Sequence, residues 1–509
     1  MNAFKTLGDY KRILERTRIA LTKQRSLPAP LKDSADLASY QSLVEKGRKL
    51  LPARYHRDYL DVLDFACDQA KQALAKSPSK RQLVMKQLQS VFSALAAPIM
   101  QLDDSSWSAR LRAYQAVISN FYRRFLDDRQ IRYQMTHVSG WPELDPLGFF
   151  LDSDASPFTL APSRDLPVAF VAKPANHACF APLFFVDAHE VGGHVFHSAV
   201  PGLVEELTNR VVLRVKEHSA GIEKHWSVKT VRVPRLPGLI FRRNYRLVKT
   251  PTFVSHVWEK WTAELLCDLS GMLNLGPSYA NSLIVFLTAI ESSLVIKSSS
   301  QFDLDKGISD HPPAIVRAKF CLEILKRLDL ADGKSYLSAL QKRLELACNG
   351  RIPEYLYWHS VDGTGAFSFK AAELLACLPE VVDTMFDTAS KSLGDRSFVQ
   401  IMTWGTNDEA VSRQLASQLL EKNFDADDAD ESIEARHVIA ASILALEEAS
   451  KKPDFDAMSD RIHRAAVEFL SVLYQQQCLL CEAPVFNNTR RHDFRSLKEL
   501  SARVERLFG

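Results

Sequence analysis

The sequence predicts a mainly α protein with a small β component, and three observations carry that reading. Apolar residues recur three and four apart through most of the chain, as in "DYLDVLDFACDQAKQALAKS" and "RQLVMKQLQSVFSALAAPIMQL", the spacing of helices with one buried face. Strand-like texture is confined to a few short stretches such as "VAFVAKP". At 509 residues the chain exceeds one ordinary hydrophobic core, so two or three domains or subdomains are expected. Hydrophobic residues make up 46% and charged residues 25%, and 64 Lys and Arg stand against 61 Asp and Glu. Such a balance describes an ordinary globular protein and implies neither nucleic acid nor membrane as a partner.

Residues 1–135 read as a helical N-terminal region, with "SLPAPLKDS" and "KSPSKRQ" as connections between helices. The first 24 residues carry charges at helical intervals and lack the apolar segment of a signal peptide, so a cytoplasmic location is expected. After Tyr133 the stretch "SGWPELDPLGFFLDSDASPFTLAPSRDLP" is rich in Pro, Gly, Asp and Ser and opens a second region, 136–330. There "VAFVAKP" reads as a strand and "APLFFVDAHEVGGHVFHSAV" as a helix stopped by "PGL". A helix in "VEELTNRVVLRVKEHSAG" precedes an extended excursion with seven basic and no acidic residues between Ser227 and Thr250, read as a solvated basic face. Helical texture returns in "TFVSHVWEKWTAELLCDLSGMLNL", in "SYANSLIVFLTAIESSL" and after "SDHPPAIVRAKF". The apolar run "NSLIVFLTAIESSLVI" is interrupted by Glu291 and two serines and falls short of the roughly 20 residues a spanning helix needs, so a buried helix is expected.

Residues 331–509 read as a helical C-terminal region, with "HSVDGTGAFSF" a turn-rich interruption. "DADDADESIE" lacks the glycine and final glutamate of a calcium loop and reads as a solvated loop. Of eight cysteines only Cys478 and Cys481 are close in sequence; with no second pair they read as buried free thiols in a reducing compartment.

The chemistry concentrates in His189-Glu190-Val191-Gly192-Gly193-His194. On a regular helix, at about 100° per residue, the two histidines lie roughly 140° apart and cannot share a metal. A π-turn absorbs one residue and returns them to nearly one face. Two adjacent glycines inside a helix each cost about 0.8–1 kcal/mol relative to alanine, which implies a local use, either an unusual turn or the close approach of another segment. In regular geometry a different set, Glu190, His194 and His197, shares one face instead, but it consumes the local carboxylate as a ligand. A third ligand is needed, and in "WEKWTAELLCDLSG" Glu264 and Asp268 lie four apart on one face of an otherwise apolar helix. One can ligate while the other accepts the free N–H of a ligand histidine.

His189-Glu190-x-x-Gly193-His194 resembles the H-E-x-x-x-H motif of the dipeptidyl peptidase III family of zincin-type metallopeptidases. The A-E-L-L-C-D segment is similar to the E-x-x-x-D helix of gluzincin peptidases, and "SDHPPAIVRAKF" to the H-P-P-x-x-x-R segment that follows it in some of them. The resemblance covers these motifs and not the rest of the chain. It implies a zincin-like metallopeptidase core at 136–330, flanked by the two helical regions. It implies Zn2+ held by His189, His194 and Glu264, with Glu190 as general base and Asp268 orienting a ligand. His311 and Arg317 match the supporting segment, and His197 is close enough in sequence to line the site.

The resulting expectation is a zinc-dependent peptidase acting on a peptide or protein, with "VAFVAKP" as a sheet edge for an extended substrate and the helical flanks as a surface for a protein partner. His197, Tyr245, His256, Tyr279 and His311 are unranked candidates to stabilise the developing oxyanion. Two competing readings stand beside it: a helical interaction protein whose zincin-like core is structural or inactive, and a non-zinc metalloprotein using Glu190, His194 and His197.

Overall fold

The periodic stretches fold as helices, and the first capping groups are visible in the sequence. Asp9 accepts from the N–H groups of Lys11 and Arg12 at the start of Tyr10–Thr22, and Asp36 accepts from Ser39 at the start of Leu37–Leu50. The computed structural model describes residues 8–28, 36–152, 157–163, 167–222, 250–303, 307–362, 366–421 and 432–482. Mainly helical architecture with two small sheets results. The run "RQLVMKQLQSVFSALAAPIMQL" forms two helices, Arg81–Leu95 and Ala97–Asp103, divided at Ala96 with Pro98 in the first turn of the second. The helix Ser108–Leu126 is buried along most of its length and packs Tyr114 flat against Phe150, with ring centroids 5.1 Å apart.

The first sheet has the order β1-β3-β2, from Leu147–Leu151 (β1), Phe158–Leu160 (β2) and Phe170–Pro174 (β3). β1 runs parallel to β3 and β2 antiparallel to it. This corrects one expectation: "VAFVAKP" supplies the central strand, hydrogen-bonded on both sides, and so offers no free edge. Among the described residues the edges beside β3 are β1 and β2, the latter three residues in the Pro- and Ser-rich entry segment that carry no strand signal of their own.

The second sheet, order β5-β4-β6-β7, joins Ser299–Asp303 (β4), Gly307–Ile308 (β5), Tyr355–Ser360 (β6) and Ala366–Lys370 (β7). "HSVDGTGAFSF" therefore supplies the end of β6 and most of β7, an antiparallel pair inside the otherwise helical C-terminal region.

Four helical segments surround the sequence motifs: the motif helix over 186–199, the carboxylate helix Thr250–Leu275, the following helix Pro277–Ala289, and the arginine helix Ala314–Leu325. The carboxylate helix is apolar nearly all round, as a helix enclosed by others must be. Trp261 on it stacks on Trp358 of β6, with centroids 6.1 Å apart and planes 7° from parallel. "NSLIVFLTAIESSLVI" supplies the buried helix Pro277–Ala289, which stops before Glu291. Buried apolar residues from Ile13 to Tyr474 form one contiguous cluster, so all three sequence regions contribute to a shared core. Among the described residues no single helix is long and apolar enough to cross a membrane. The basic excursion, most of the acidic loop and the side chains of Cys478 and Cys481 lie outside the described residues.

Candidate metal centre

The extra residue in the histidine motif is accommodated where the sequence puts its glycines. After a regular turn at Val186–His189 the backbone widens into a π-turn over Glu190–Val195, then returns to α geometry at Phe196–Ala199. His189 and His194 thereby come together, with ring centroids 5.0 Å apart and planes 82° from parallel. A Cβ on Gly193 would sit 2.6 Å from both Cα and Cβ of Cys267. Glycine here lets the motif helix lie directly on the carboxylate helix, and that contact brings Glu264 to the histidines.

His189 Nε2 lies 3.5 Å from Glu264 Oε2, and His194 Nε2 lies 3.4 Å from Glu264 Oε1. Donors about 2.0–2.2 Å from a tetrahedral zinc are separated by roughly 3.4 Å, and each histidine–carboxylate distance is close to that value, though the two end on different oxygens of Glu264. His311 Nε2 approaches the same Oε1 at 3.8 Å, from a side chain that is 72% exposed.

Behind the donors each ring has a partner. His189 Nδ1 is 3.1 Å from Asp268 Oδ1. Asp268 also accepts from the Tyr279 hydroxyl at 2.7 Å and from Arg317 Nε and Nη2 at 2.8 and 2.7 Å. His194 Nδ1 is 3.2 Å from His197 Nε2. With Nε2 of each metal-facing ring kept as a lone pair, both Nδ1–H groups donate, one to a carboxylate and one to a neutral imidazole.

The two buried carboxylates are held ionised by the groups around them. Burial opposes the charge of Glu264, yet hydrogen bonds from His189 and His194 hold its carboxyl well below the usual range. Burial likewise opposes the charge of Asp268, and Arg317 and His189 overcome it. For His189 burial favours the neutral ring, but hydrogen bonds to Asp268 and Glu264 outweigh it and raise the pKa to about 9. His197 is driven the other way, to about 4, by burial and then by His194 and His189. A proton on His189 here does what a metal ion would do, balancing carboxylates sealed from water.

Glu190, next to His189 on the motif helix, lines a narrow crevice with Pro157, Phe158, Thr159, Lys173 and Tyr114. It forms no hydrogen bond or ion pair with any described residue. β2 forms one wall of this crevice, and its Phe158 and Leu160 are 40% and 41% exposed. A buried ion pair between Lys173 of β3 and Asp187 ties the sheet to the first turn of the motif helix. Burial raises the Asp187 carboxyl to about 6 against the pull of Lys173. Neither partner stands out in the sequence, because a lone lysine in a strand and a lone aspartate in a helix declare no partner.

Among the oxyanion candidates, Tyr279 is committed to Asp268, His197 lies behind His194, and His256 pairs with Glu259 at 3.1 Å. Tyr245 lies outside the described residues. His311 alone of the described candidates reaches the open side of Glu264.

The structure also brings in a residue that sequence reasoning passed over. One ligand atom each from His189, His194 and Cys267 lie within 4.8 Å of one another. Cys267 follows Glu264 by three residues and so shares its helical face, which was the available signal. The two donor sets compete for the same histidines. Glu264 is held ionised, and it meets the two rings through different oxygens, while burial raises the Cys267 thiol well above its ordinary value. No family model, no curated protein and no solved structure matches this chain.

Proposed function

We propose that the chain is a zinc-dependent metallohydrolase, most simply a peptidase, with zinc held by His189, His194 and Glu264. One observation carries the reading: both Nε2 atoms converge on the Glu264 carboxylate within 3.5 Å while each second ring nitrogen has its own acceptor. Zinc at such a site supplies a Lewis acid that activates water and polarises a carbonyl.

The chain's own residues divide the remaining work. Glu190, uncommitted to any described neighbour, accepts the proton of the attacking water and returns it to the leaving amine. His311, exposed at the mouth, donates a hydrogen bond to the carbonyl oxygen as charge gathers there. Asp268, Arg317 and Tyr279 hold His189 in the tautomer that faces the donors. The free edge of β2 beside Glu190 is the surface against which an extended peptide pairs. The competing set of Glu190, His194 and His197 is disfavoured, because His197 Nε2 is engaged with His194 Nδ1.

The test is metal analysis of the purified chain together with cleavage of a peptide library by the wild type and Glu190→Gln. Zinc at one equivalent in both proteins, with cleavage falling about a thousandfold in the variant, is expected. Cleavage that survives Glu190→Gln rejects the general-base assignment, and a zinc-loaded wild type that cleaves nothing favours a structural core.

A further inference from the structure

Cys267 is the one nucleophilic side chain at the site that the hydrolytic reading does not use. It is fully buried, it makes no hydrogen bond with a described residue, and its sulfur is within 4.8 Å of ring nitrogens of both His189 and His194. Its position is not incidental to packing. Gly193, between the two histidines in the π-turn, rests on Cys267 Cα, Cβ and Sγ, with a Cβ there 2.6–2.8 Å from all three. Any larger residue at 193 would lift the motif helix away and carry the imidazoles out of reach of the sulfur.

Two three-donor sets therefore overlap on one pair of histidines, offering nitrogen and oxygen through Glu264 or nitrogen and sulfur through Cys267. Ligand softness decides between such sets: carboxylate suits harder ions, thiolate suits thiophilic ones. The sulfur is deep in the protein while His311 marks the open side of Glu264, so the choice of donor also moves the ion relative to solvent.

We propose that Cys267 makes this site a second, thiophilic metal site, which captures Cd2+ or a similarly soft divalent cation through His189, His194 and the Cys267 thiolate. On capture the sulfur–metal bond forms, the S–H bond breaks and its proton leaves to bulk buffer, with no change of oxidation state. The inference rests on the histidine pair assigned to zinc above, but it is independent of whether the zinc form cleaves peptides.

The experiment loads the full-length, metal-stripped chain with Zn2+ or Cd2+ alone and follows thiolate-to-cadmium absorption and chelator competition in the wild type, Cys267→Ala and Glu264→Gln. The charge-transfer absorption is expected in cadmium-loaded wild type and absent from Cys267→Ala. That variant should lose cadmium affinity by about tenfold or more while its zinc affinity changes little, and Glu264→Gln should show the opposite preference. Cadmium NMR of the unsubstituted protein reads sulfur ligation directly, so a poorly folded Cys267→Ala does not remove the test. Zinc binding without any thiolate signature in the cadmium form overturns this inference alone. Binding of neither ion sinks the metal centre itself.

Discussion

The two histidines stand five residues apart on one helix, yet the halves of the site behind them are built differently. Behind His189 lies a sealed network: Asp268 is fully buried, gripped by both arms of Arg317 and by Tyr279. Behind His194, whose side chain is 33% exposed, lies one imidazole that burial keeps neutral. A carboxylate acceptor both orients a ligand ring and raises its basicity; a neutral imidazole orients it and adds no charge. The site thus has a fixed, charged half and a softer half, with the exposed His311 beside Glu264.

Removing Asp268 is the strongest way to break this contrast. Asp268→Ala strands Arg317 in the interior without its partner, and about 3–5 kcal/mol of unfolding free energy should be lost in a denaturant titration. His197→Ala removes a single neutral hydrogen bond, for which about 0.5–1.5 kcal/mol is expected in the same measurement. Equal losses would mean that the two halves are alike after all.

The pH dependence of the metal-free protein sharpens the comparison next. The pKa of His189 is raised above its ordinary 6.5 to about 9, so its contribution is complete below the lower value and is lost as the pH rises through the upper one. Glu264 and Asp268 have depressed values, so theirs are present above the ordinary carboxylate range and are lost only in strong acid. Metal-free protein should therefore be less stable at alkaline than at mildly acid pH by roughly 3 kcal/mol, read as thermal midpoints across that range. In the zinc-loaded protein the proton becomes a competitor of the ion, and stability should rise with pH over the same interval.

Zinc affinity gives a third reading. Asp268→Asn should weaken zinc binding by about a hundredfold and His197→Ala by about tenfold in chelator competition. A reversed order would make the softer half the one that governs the metal.

The adjacent glycines give the finest discrimination. Gly193→Ala forces a Cβ against the backbone of Cys267 and should destabilise by about 1–3 kcal/mol. Gly192→Ala crowds Asn274 Nδ2 at 3.0 Å and otherwise meets atoms at 4.0 Å, and alanine's helix propensity offsets the crowding, so a change within about 1 kcal/mol is expected.

What the sequence made legible was whatever is encoded locally. The spacing of His189 and His194 with the paired glycines implied the π-turn, and the four-residue interval of Glu264 and Asp268 implied one shared face. Contacts that depend on distant segments were not legible. β4 and β6 pair across more than fifty residues, and "SSQFD" has neither alternation nor length to mark it as a strand. The three residues of β2 displaced "VAFVAKP" from the edge to the centre of its sheet for the same reason. Cys267 was hidden by its own ordinariness: a cysteine in an apolar helix reads as packing until the helix across from it is seen to carry two imidazoles.

The segment from His311 to Arg317 has a consequence for how the site can vary. His311 is held by its N–H to Ser309 and its carbonyl to Ser300, two prolines follow, and the arginine helix then delivers Arg317 to Asp268. Those few residues act as a ruler laid between the mouth of the site and its foundation. One residue added after Pro313 would turn Arg317 by about 100° around its helix and release Asp268, while leaving His311 where it is. Length in this stretch is therefore constrained more tightly than identity, and a lineage could exchange its apolar residues freely before it could tolerate a single insertion.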